Sequence, residues 1–240
     1  MGIENSTDFP KPKRNSEISI LIADDHPLLR KALRDLLGKQ QDLQIVGEAE
    51  DGEMAVKLAN ELLPDVVIMD IAMPKLNGLE ATRQIKANHP NIAILVLTVH
   101  DDSEHILSIL DAGAAGYLTK RVFGEDVVAA IRLIVSGESV LTGPVLKQVM
   151  KHTIKFPSKS LKRPEYESLT NRELDILKMA AQGISNKDIA LKLNLSLRTI
   201  KGHMVDIFSK LNVGTRTEAV IKGLRSGLLN IDDISEDDSY

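Results

Sequence analysis

Side chains that suit phosphoryl chemistry follow a series of short apolar segments in the first half of the chain. Asp24 and Asp25 follow the first segment, Asp70 the third, Thr98 the fourth and Lys120 the fifth. If these segment ends meet, three neighbouring carboxylates repel one another unless a cation joins them, and hard oxygen ligands suit Mg2+. A lysine and a hydroxyl nearby suit phosphoryl oxygens. The set therefore indicates transfer of a phosphoryl group onto an aspartate.

The segments that must position these residues alternate in pattern. Apolar runs typical of buried parallel strands occur at residues 18–23, 44–49, 65–69, 92–97 and 115–118. Helical segments accompany them at residues 27–37, 52–62, 78–87, 103–112 and 125–136. This alternation predicts right-handed crossovers and an α/β fold with a doubly wound, five-stranded parallel sheet. In such a sheet, ligands bind beyond the carboxyl ends of the strands, where the strand order reverses.

The composition of the 240-residue chain is that of a globular protein, with 43% hydrophobic and 27% charged residues. The absence of cysteine excludes a disulfide framework, thiolate metal sites and a cysteine nucleophile. No run approaches the roughly 18 apolar residues of a membrane span, and residues 1–17 lack the apolar core of a signal peptide. We therefore expect a soluble, cytoplasmic protein with no membrane partner.

Charge is distributed unevenly along the chain. Residues 1–146 hold 14 basic and 22 acidic side chains, a net charge of −8. Residues 147–230 hold 16 and 7, a net charge of +9, and the last ten residues add five acids. An acidic first half and a basic second half predict two domains, of which the second faces a polyanion. Ordinary solvated surface charge is the alternative explanation.

The strand pattern ends after residue 137, and an all-α domain follows a linker at 138–168 that includes a predicted helix at 142–155. Four helices are predicted at 171–182, 186–193, 197–211 and 216–226. Their predicted end signals are capping boxes at Thr170–Glu173 and Thr215–Glu218, N-caps at Ser185 and Ser196, and a C-terminal glycine at Gly183. Residues 1–16 and 230–240 are predicted to be flexible tails, the second acidic.

The first part of the chain resembles the receiver domain of two-component response regulators, over residues 17–137. The matching segments are 20–26 (ILIADDH), 65–78 (DVVIMDIAMPKLNG), 97–98 (LT) and 113–120 (GAAGYLTK). The resemblance implies a flavodoxin-like fold, phosphorylation of Asp70 by a sensor histidine kinase, and Mg2+ held by Asp24, Asp25, Asp70 and the main-chain carbonyl of Ala72. It also implies that Lys120 binds the phosphoryl group and that Thr98 and Tyr117 form a switch pair. Many receivers have proline where Arg121 stands, which puts a cis peptide there in doubt.

A phosphatase of the haloacid-dehalogenase type is the enzymatic alternative, because it also uses an aspartate at a strand end. Such enzymes carry a second acid two residues after the nucleophile. Here Asp70 is followed by Ile71 and Ala72, so the general acid is missing. We therefore predict that the protein is not an enzyme.

Residues 169–229 resemble the LuxR-type helix-turn-helix, and the pairing of this domain with a receiver resembles the NarL/FixJ subgroup. The matching segments are 169–173 (LTNRE), 183–190 (GISNKDIA), 196–203 (SLRTIKGH) and 210–213 (KLNV). The resemblance implies a transcription regulator that binds double-stranded DNA, with RNA polymerase as a candidate partner. A receiver that acts as a phosphate sink or docking module without an operator is the alternative function.

Helical spacing divides the third of these helices into two stripes. Ile200, Met204, Ile207 and Leu211 form an apolar stripe that is expected to pack in the core. The opposite stripe is expected to enter the major groove, and it consists of Arg198, Lys201, Gly202, Val205 and Ser209. Lys201 is a candidate guanine contact and Val205 a candidate thymine-methyl contact. The residues expected to contact phosphates are Asn186, Lys187, Thr199, His203 and Lys210.

The fourth helix of the basic domain offers a dimer contact. One helix-turn-helix contacts few base pairs, so a two-fold dimer doubles the site. Ala219, Val220 and Leu224 lie on this helix and are predicted to meet a partner's copy when the protein is phosphorylated. Packing of these side chains into their own domain is the alternative.

Overall fold

The structure is a computed structural model that describes residues 17–98, 103–120, 124–138, 140, 169–230 and 233, without the side chains of 103–105. The predicted helix at 142–155 and position 121 lie outside the described residues. So do residues 1–16 and most of the predicted C-terminal tail.

The first part of the chain forms the predicted alternating fold. Its strands are β1 (Ile18–Ala23), β2 (Leu43–Ala49), β3 (Val66–Asp70), β4 (Ala93–Thr98) and β5 (Gly116–Thr119). Its helices are α1 (Pro27–Leu37), α2 (Gly52–Leu62), α3 (Gly78–Asn88), α4 (Ser103–Asp111) and α5 (Glu125–Val135). All neighbouring strands pair in parallel, in the order β2-β1-β3-β4-β5. The predicted fold class is confirmed.

The sheet is buried on both faces, because helices cover each side. Leu33 and Ile131 of α1 and α5 pack on one face, while Ala55 and Ile85 of α2 and α3 pack on the other. The residues of β3 and β4 are all buried, which explains why these strands are nearly uninterrupted apolar runs. The strand order reverses between β1 and β3, so the carboxyl ends of these two strands flank the expected ligand position.

The second part of the chain forms four helices, α6 (Asn171–Ala181), α7 (Asn186–Lys192), α8 (Leu197–Leu211) and α9 (Arg216–Arg225). The apolar stripe of α8 is fully buried among the other helices, as predicted. None of the described helices is long and apolar enough to cross a membrane.

Most of the predicted helix caps are present. Thr170 and Glu173 form a complete capping box, and the side chains of Ser185 and Ser196 cap α7 and α8. Gly183 has a φ of 82° after α6, a conformation that glycine adopts without a steric penalty.

The second predicted capping box, at the start of α9, is only half formed. Thr215 accepts the N–H of Glu218. The Glu218 carboxylate, however, accepts from the N–H of Gly214 and pairs with a lysine of the first domain instead of bonding the N–H of Thr215. The prediction of a full box is therefore wrong, because a charged partner draws this carboxylate away.

Candidate functional site

Three aspartates meet where the strand order reverses. Ligand atoms of Asp24, Asp25, Asp70 and the adjacent His26 all lie within 4.8 Å of one another. Asp24 is 1% exposed and Asp70 3% exposed, while Asp25 is partly exposed. Neighbouring parallel strands end at the same edge, so the residues that follow β1 and end β3 are necessarily close.

Lys120 neutralises part of this charge. Its Nζ lies 2.8 Å from Oδ2 of Asp24 and 2.9 Å from Oδ2 of Asp70. Burial acts to lower the pKa of Lys120, but the hydrogen bonds and charges of the two aspartates outweigh it and raise the pKa above its ordinary value. The ammonium therefore stays charged beside the two aspartates.

The oxygen atoms of the cluster fit a divalent cation. Oδ1 of Asp25 and Oδ2 of Asp70 are buried, and neither makes a well-directed hydrogen bond to any described residue. Nδ1 of His26 lies 2.7 Å from Oδ1 of Asp25, and Nζ of Lys120 lies 2.9 Å from Oδ2 of Asp70. One lysine cannot balance three carboxylates, and unused carboxylate lone pairs are the ligands that Mg2+ prefers.

The two predicted switch residues lie on adjacent strands. Thr98 ends β4, is 1% exposed, and its carbonyl accepts the N–H of Lys120 at 2.7 Å. Tyr117 lies on β5 and packs against two apolar clusters, one on a face of the sheet and one that joins α4 to the helical domain. Ala72 lies in the loop between β3 and α3, two residues after Asp70.

The outward stripe of α8 is open to solvent. Arg198, Lys201, Gly202 and Ser209 are exposed, and Val205 is 64% exposed although it is apolar. A Cβ atom built on Gly202 meets nothing within 4 Å. No contact within the described chain therefore explains the glycine, and the face is free to approach a ligand.

Two residues predicted to contact phosphates are engaged elsewhere. Asn186 is 1% exposed, and its side-chain oxygen accepts a hydrogen bond from Arg216. Lys210 donates to both carboxylate oxygens of Glu173, at 2.9 and 2.8 Å. In this arrangement both side chains are engaged within the protein, and their assignment to the DNA surface stays a prediction. Lys187 and Thr199 are exposed and His203 is half-buried.

The two folded parts of the chain are in contact through the start of α9. Lys86 of α3 and Glu218 of α9 form an ion pair at 2.9 Å, with only 8% and 10% of the side chains exposed. Desolvation lowers the pKa of Lys86, although Glu218 opposes that change. A Cβ atom on Gly214 would lie 1.9 Å from the carbonyl oxygen of Pro90, so the two backbones touch.

Two further ion pairs join the same surfaces. Arg216, which is 1% exposed, donates to Glu138 at 3.1 Å beyond the end of α5. The other oxygen of Glu138 accepts the backbone N–H of Asn186 at 2.9 Å. Arg225, at the end of α9, pairs with Asp111 at the end of α4. Lys86, Glu138, Arg216, Arg225 and their partners define the docking contact.

The residues predicted to dimerise lie beside the docking contact. Ala219 is 0% exposed, Val220 is 3% exposed, and Leu224 is partly buried. They belong to an apolar cluster that also contains Ile106 and Leu110 of α4. In this arrangement Ala219 and Val220 pack inside the protein and offer no surface to a partner.

Sequence reasoning missed the docking contact because its members are scattered. Lys86, Glu138 and Glu218 are ordinary surface-type residues in their own segments, and their partners lie 48 to 132 positions away in the chain. The one available signal was Arg216, which stands in the first turn of a helix, where acidic residues are favoured.

Comparisons with known proteins agree with this architecture. Residues 20–132 match the model of the response regulator receiver domain, and residues 167–222 match that of the bacterial regulatory proteins of the luxR family. The transcriptional regulatory protein DegU of Brevibacillus brevis is 33% identical over 228 residues, covering 90% of this chain and 97% of DegU. The response regulator VraR of Staphylococcus aureus is 38% identical over 213 residues, covering 88% and 99%.

The chain is also similar to solved structures of response regulators. A LuxR-family response regulator from Aurantimonas sp. is 33% identical with a TM-score of 0.53, over 58% of this chain and 99% of that one. The RcsB response regulator of Salmonella typhimurium is 25% identical with a TM-score of 0.52, over 85% and 98%.

The fold, the acidic edge formed by Asp24, Asp25 and Asp70 at the ends of β1 and β3, and the helix-turn-helix thus define a receiver joined to a DNA-binding domain. The chain belongs to the LuxR-family response regulators and is a DNA-binding transcription regulator rather than an enzyme. A phosphate sink without an operator is not favoured, because the luxR family match covers residues 167–222 of the helical domain.

Proposed function

We propose that Asp70 is the phosphoacceptor and that the acidic edge holds Mg2+ through Asp24, Asp25, Asp70 and the carbonyl of Ala72. The observation that carries this proposal is the pair of buried carboxylate oxygens, Oδ1 of Asp25 beside His26 and Oδ2 of Asp70 beside Lys120, that make no well-directed hydrogen bond to a described residue. Bound Mg2+ supplies positive charge for the phosphoryl oxygens. Cognate donors are phosphohistidines of sensor kinases.

Asp70, Lys120 and Thr98 have different roles in the phosphoryl transfer. A carboxylate oxygen of Asp70 forms the bond to phosphorus while the bond from phosphorus to the donor breaks. Lys120 already contacts Asp70, so it is in reach of a phosphoryl oxygen on that carboxylate. The hydroxyl of Thr98 donates to another phosphoryl oxygen, and Tyr117 follows the inward movement of Thr98.

The docking contact connects this switch to assembly. Tyr117 packs against the apolar cluster that joins α4 to the helical domain, so a change in its position alters the α4 surface that α9 contacts. Release of α9 frees its apolar residues to form a two-fold homodimer, while the open stripe of α8 contacts DNA. We assign receiver function to residues 17–137 and DNA binding to 169–229, with a linker at 138–168 and tails at 1–16 and 230–240.

Within the DNA surface, Lys201, Arg198 and Val205 contact base edges, while Lys187, Thr199 and His203 contact phosphates. The support is the exposure of the α8 stripe and its position opposite the buried one. Contact of the bound dimer with RNA polymerase remains a prediction.

A gel shift on genomic fragments tests the function, with and without Mg2+ and a small-molecule phosphodonor. We expect the phosphorylated protein to retain specific fragments at lower concentration than the unmodified protein. Asp70→Asn serves as the matched control, because it keeps the fold and removes the phosphoacceptor. Equal shifts for the treated wild type and the control contradict the proposal.

Gly214→Val tests the docking contact separately. The close approach of Gly214 to Pro90 leaves no room for a side chain, so the two domains separate without any change of charge. We expect a larger hydrodynamic radius and dimerisation without a phosphodonor. Gly202→Val, at an open position, is the control. An unchanged radius of Gly214→Val rejects this contact.

A further inference from the structure

The loop between β3 and α3 contains a strained turn centred on Lys75. Lys75 has a φ of 61°, in the left-handed region that side-chain-bearing residues rarely occupy. The N–H of Leu76 donates to the carbonyl of Pro74 at 2.8 Å, which closes a three-residue γ-turn around Lys75. A turn of this hand persists only where surrounding contacts hold it.

The start of α2 supplies those contacts. Nζ of Lys75 lies 2.6 Å from Oδ2 of Asp51, whose side chain is 4% exposed. The other oxygen of Asp51 accepts the N–H of Met54 at 2.8 Å and caps α2. These bonds lower the pKa of Asp51, with the hydrogen bond from Lys75 as the largest cause. The carboxylate thus joins the turn to a fixed helix end.

The backbones of α2 and α3 also contact this loop and the strand end before it. A Cβ atom on Gly52 would lie 2.0 Å from the carbonyl oxygen of Leu76, so α2 touches the loop directly. A Cβ atom on Gly78 would lie 1.8 Å from the carbonyl oxygen of Asp70, so α3 rests on the phosphoacceptor's own peptide. Ala72, the proposed carbonyl ligand, lies between Asp70 and this clamped turn.

We propose that the Asp51–Lys75 ion pair positions the loop that presents the Ala72 carbonyl to Mg2+. Neither side chain touches the metal. Asp51 and Lys75 are positioning residues: they hold the strained turn, and the turn sets the path of the backbone from Asp70 to α3. This inference rests on the proposed Mg2+ site.

Calorimetric titration of the full chain with Mg2+ tests the inference. Lys75→Met keeps the aliphatic stem and removes the charge, while Asp51→Asn keeps a residue able to cap α2. Each variant is expected to raise the Kd for Mg2+ about three- to tenfold. The double variant is expected to bind no more weakly than either single variant, because both changes remove one interaction.

The controls separate positioning from general destabilisation. Lys57→Met removes an exposed lysine from α2 and is expected to leave the Kd unchanged. Lys75→Arg retains the charge and is expected to restore most of the affinity. Thermal unfolding in EDTA should show that Lys75→Met and Lys57→Met are both fully folded at the temperature of the titration.

The outcomes are distinct. A wild-type chain that binds no Mg2+ overturns the proposed site itself. A wild type that binds Mg2+, with single variants that bind it equally well, overturns only the positioning role. Additive losses in the double variant also overturn it, because the two residues then act independently.

Discussion

The acidic edge of the receiver and the outward face of α8 are both polar surfaces, but they are built in opposite ways. At the edge, Asp24, Asp70 and Lys120 are crowded together with little solvent exposure. On α8, Lys201 and Val205 stand apart and exposed. Buried charges depend on one another, whereas exposed side chains act separately. The effects of substitutions at the edge are therefore expected to depend on one another, and those of substitutions on α8 to be separate and graded.

The largest expected effect is loss of the phosphoacceptor. With Mg2+ and a small-molecule phosphodonor, the wild type should form an acyl phosphate, and Asp70→Asn should form none because the amide is not a nucleophile for this transfer. Mass spectrometry of the intact chain and of its peptides measures the modification. Phosphate remaining on Asp70→Asn would assign the acceptor elsewhere.

Lys120→Ala sharpens the contrast within the acidic edge. Removing the ammonium leaves the three carboxylates, so Mg2+ binding should be largely retained. The response should be impaired, because no cation from the protein holds the phosphoryl group. Titration with Mg2+ and sedimentation with the phosphodonor measure the two properties. Normal phosphorylation-dependent assembly of this variant would remove Lys120 from the switch.

Lys201→Ala tests the graded behaviour expected of α8. If Lys201 contacts a base edge, specific binding should weaken by about 1 to 3 kcal/mol. Fluorescence anisotropy on a specific and a scrambled fragment makes the comparison, with Lys57→Ala as a control distant from the helix. An equal loss on both fragments would make Lys201 a phosphate contact.

Gly202→Ala has the smallest expected effect, and it is expected to raise the stability of the domain while it lowers the affinity for DNA. The position is an open helix interior, so alanine should stabilise the domain by about 1 kcal/mol. If the glycine lets α8 approach the groove closely, the same substitution should weaken DNA binding. Thermal unfolding and anisotropy give the two values. Greater stability with unchanged affinity would mean that the glycine is merely tolerated.

The structure also changes how the dimer is best tested. Val220→Asp would place a charge at a position that is 3% exposed, so it should destabilise the helical domain whether or not α9 dimerises. Gly214→Val changes the docking contact without entering the core, and it isolates the effect of releasing α9.

Local patterns predicted most of the architecture. The strands and helices of the sheet fall within one residue of their predicted bounds, because buried runs and amphipathic segments carry their own periodicity. The closeness of the aspartates at the ends of β1 and β3 follows from the order of the strands alone. Likewise, the spacing of Ile200, Met204, Ile207 and Leu211 separated the core of α8 from its exposed face.

Contacts between distant segments were not predictable in this way. Asn186 and Lys210 are residue types that often bind phosphate, yet here Asn186 hydrogen-bonds to Arg216 and Lys210 hydrogen-bonds to Glu173. Glu218 lies at the spacing of a capping-box residue, but one of its carboxylate oxygens forms an ion pair with Lys86. In each case a partner far along the chain decides the role, and no local pattern records it.

The most direct test of the central claim is sedimentation of the full chain on a specific DNA fragment, before and after treatment with Mg2+ and a phosphodonor. We expect the treated wild type to form a complex of two chains per fragment at saturation, and treated Asp70→Asn not to form one. A complex of one chain per fragment for the phosphorylated wild type would contradict the claim that phosphorylation of Asp70 controls assembly.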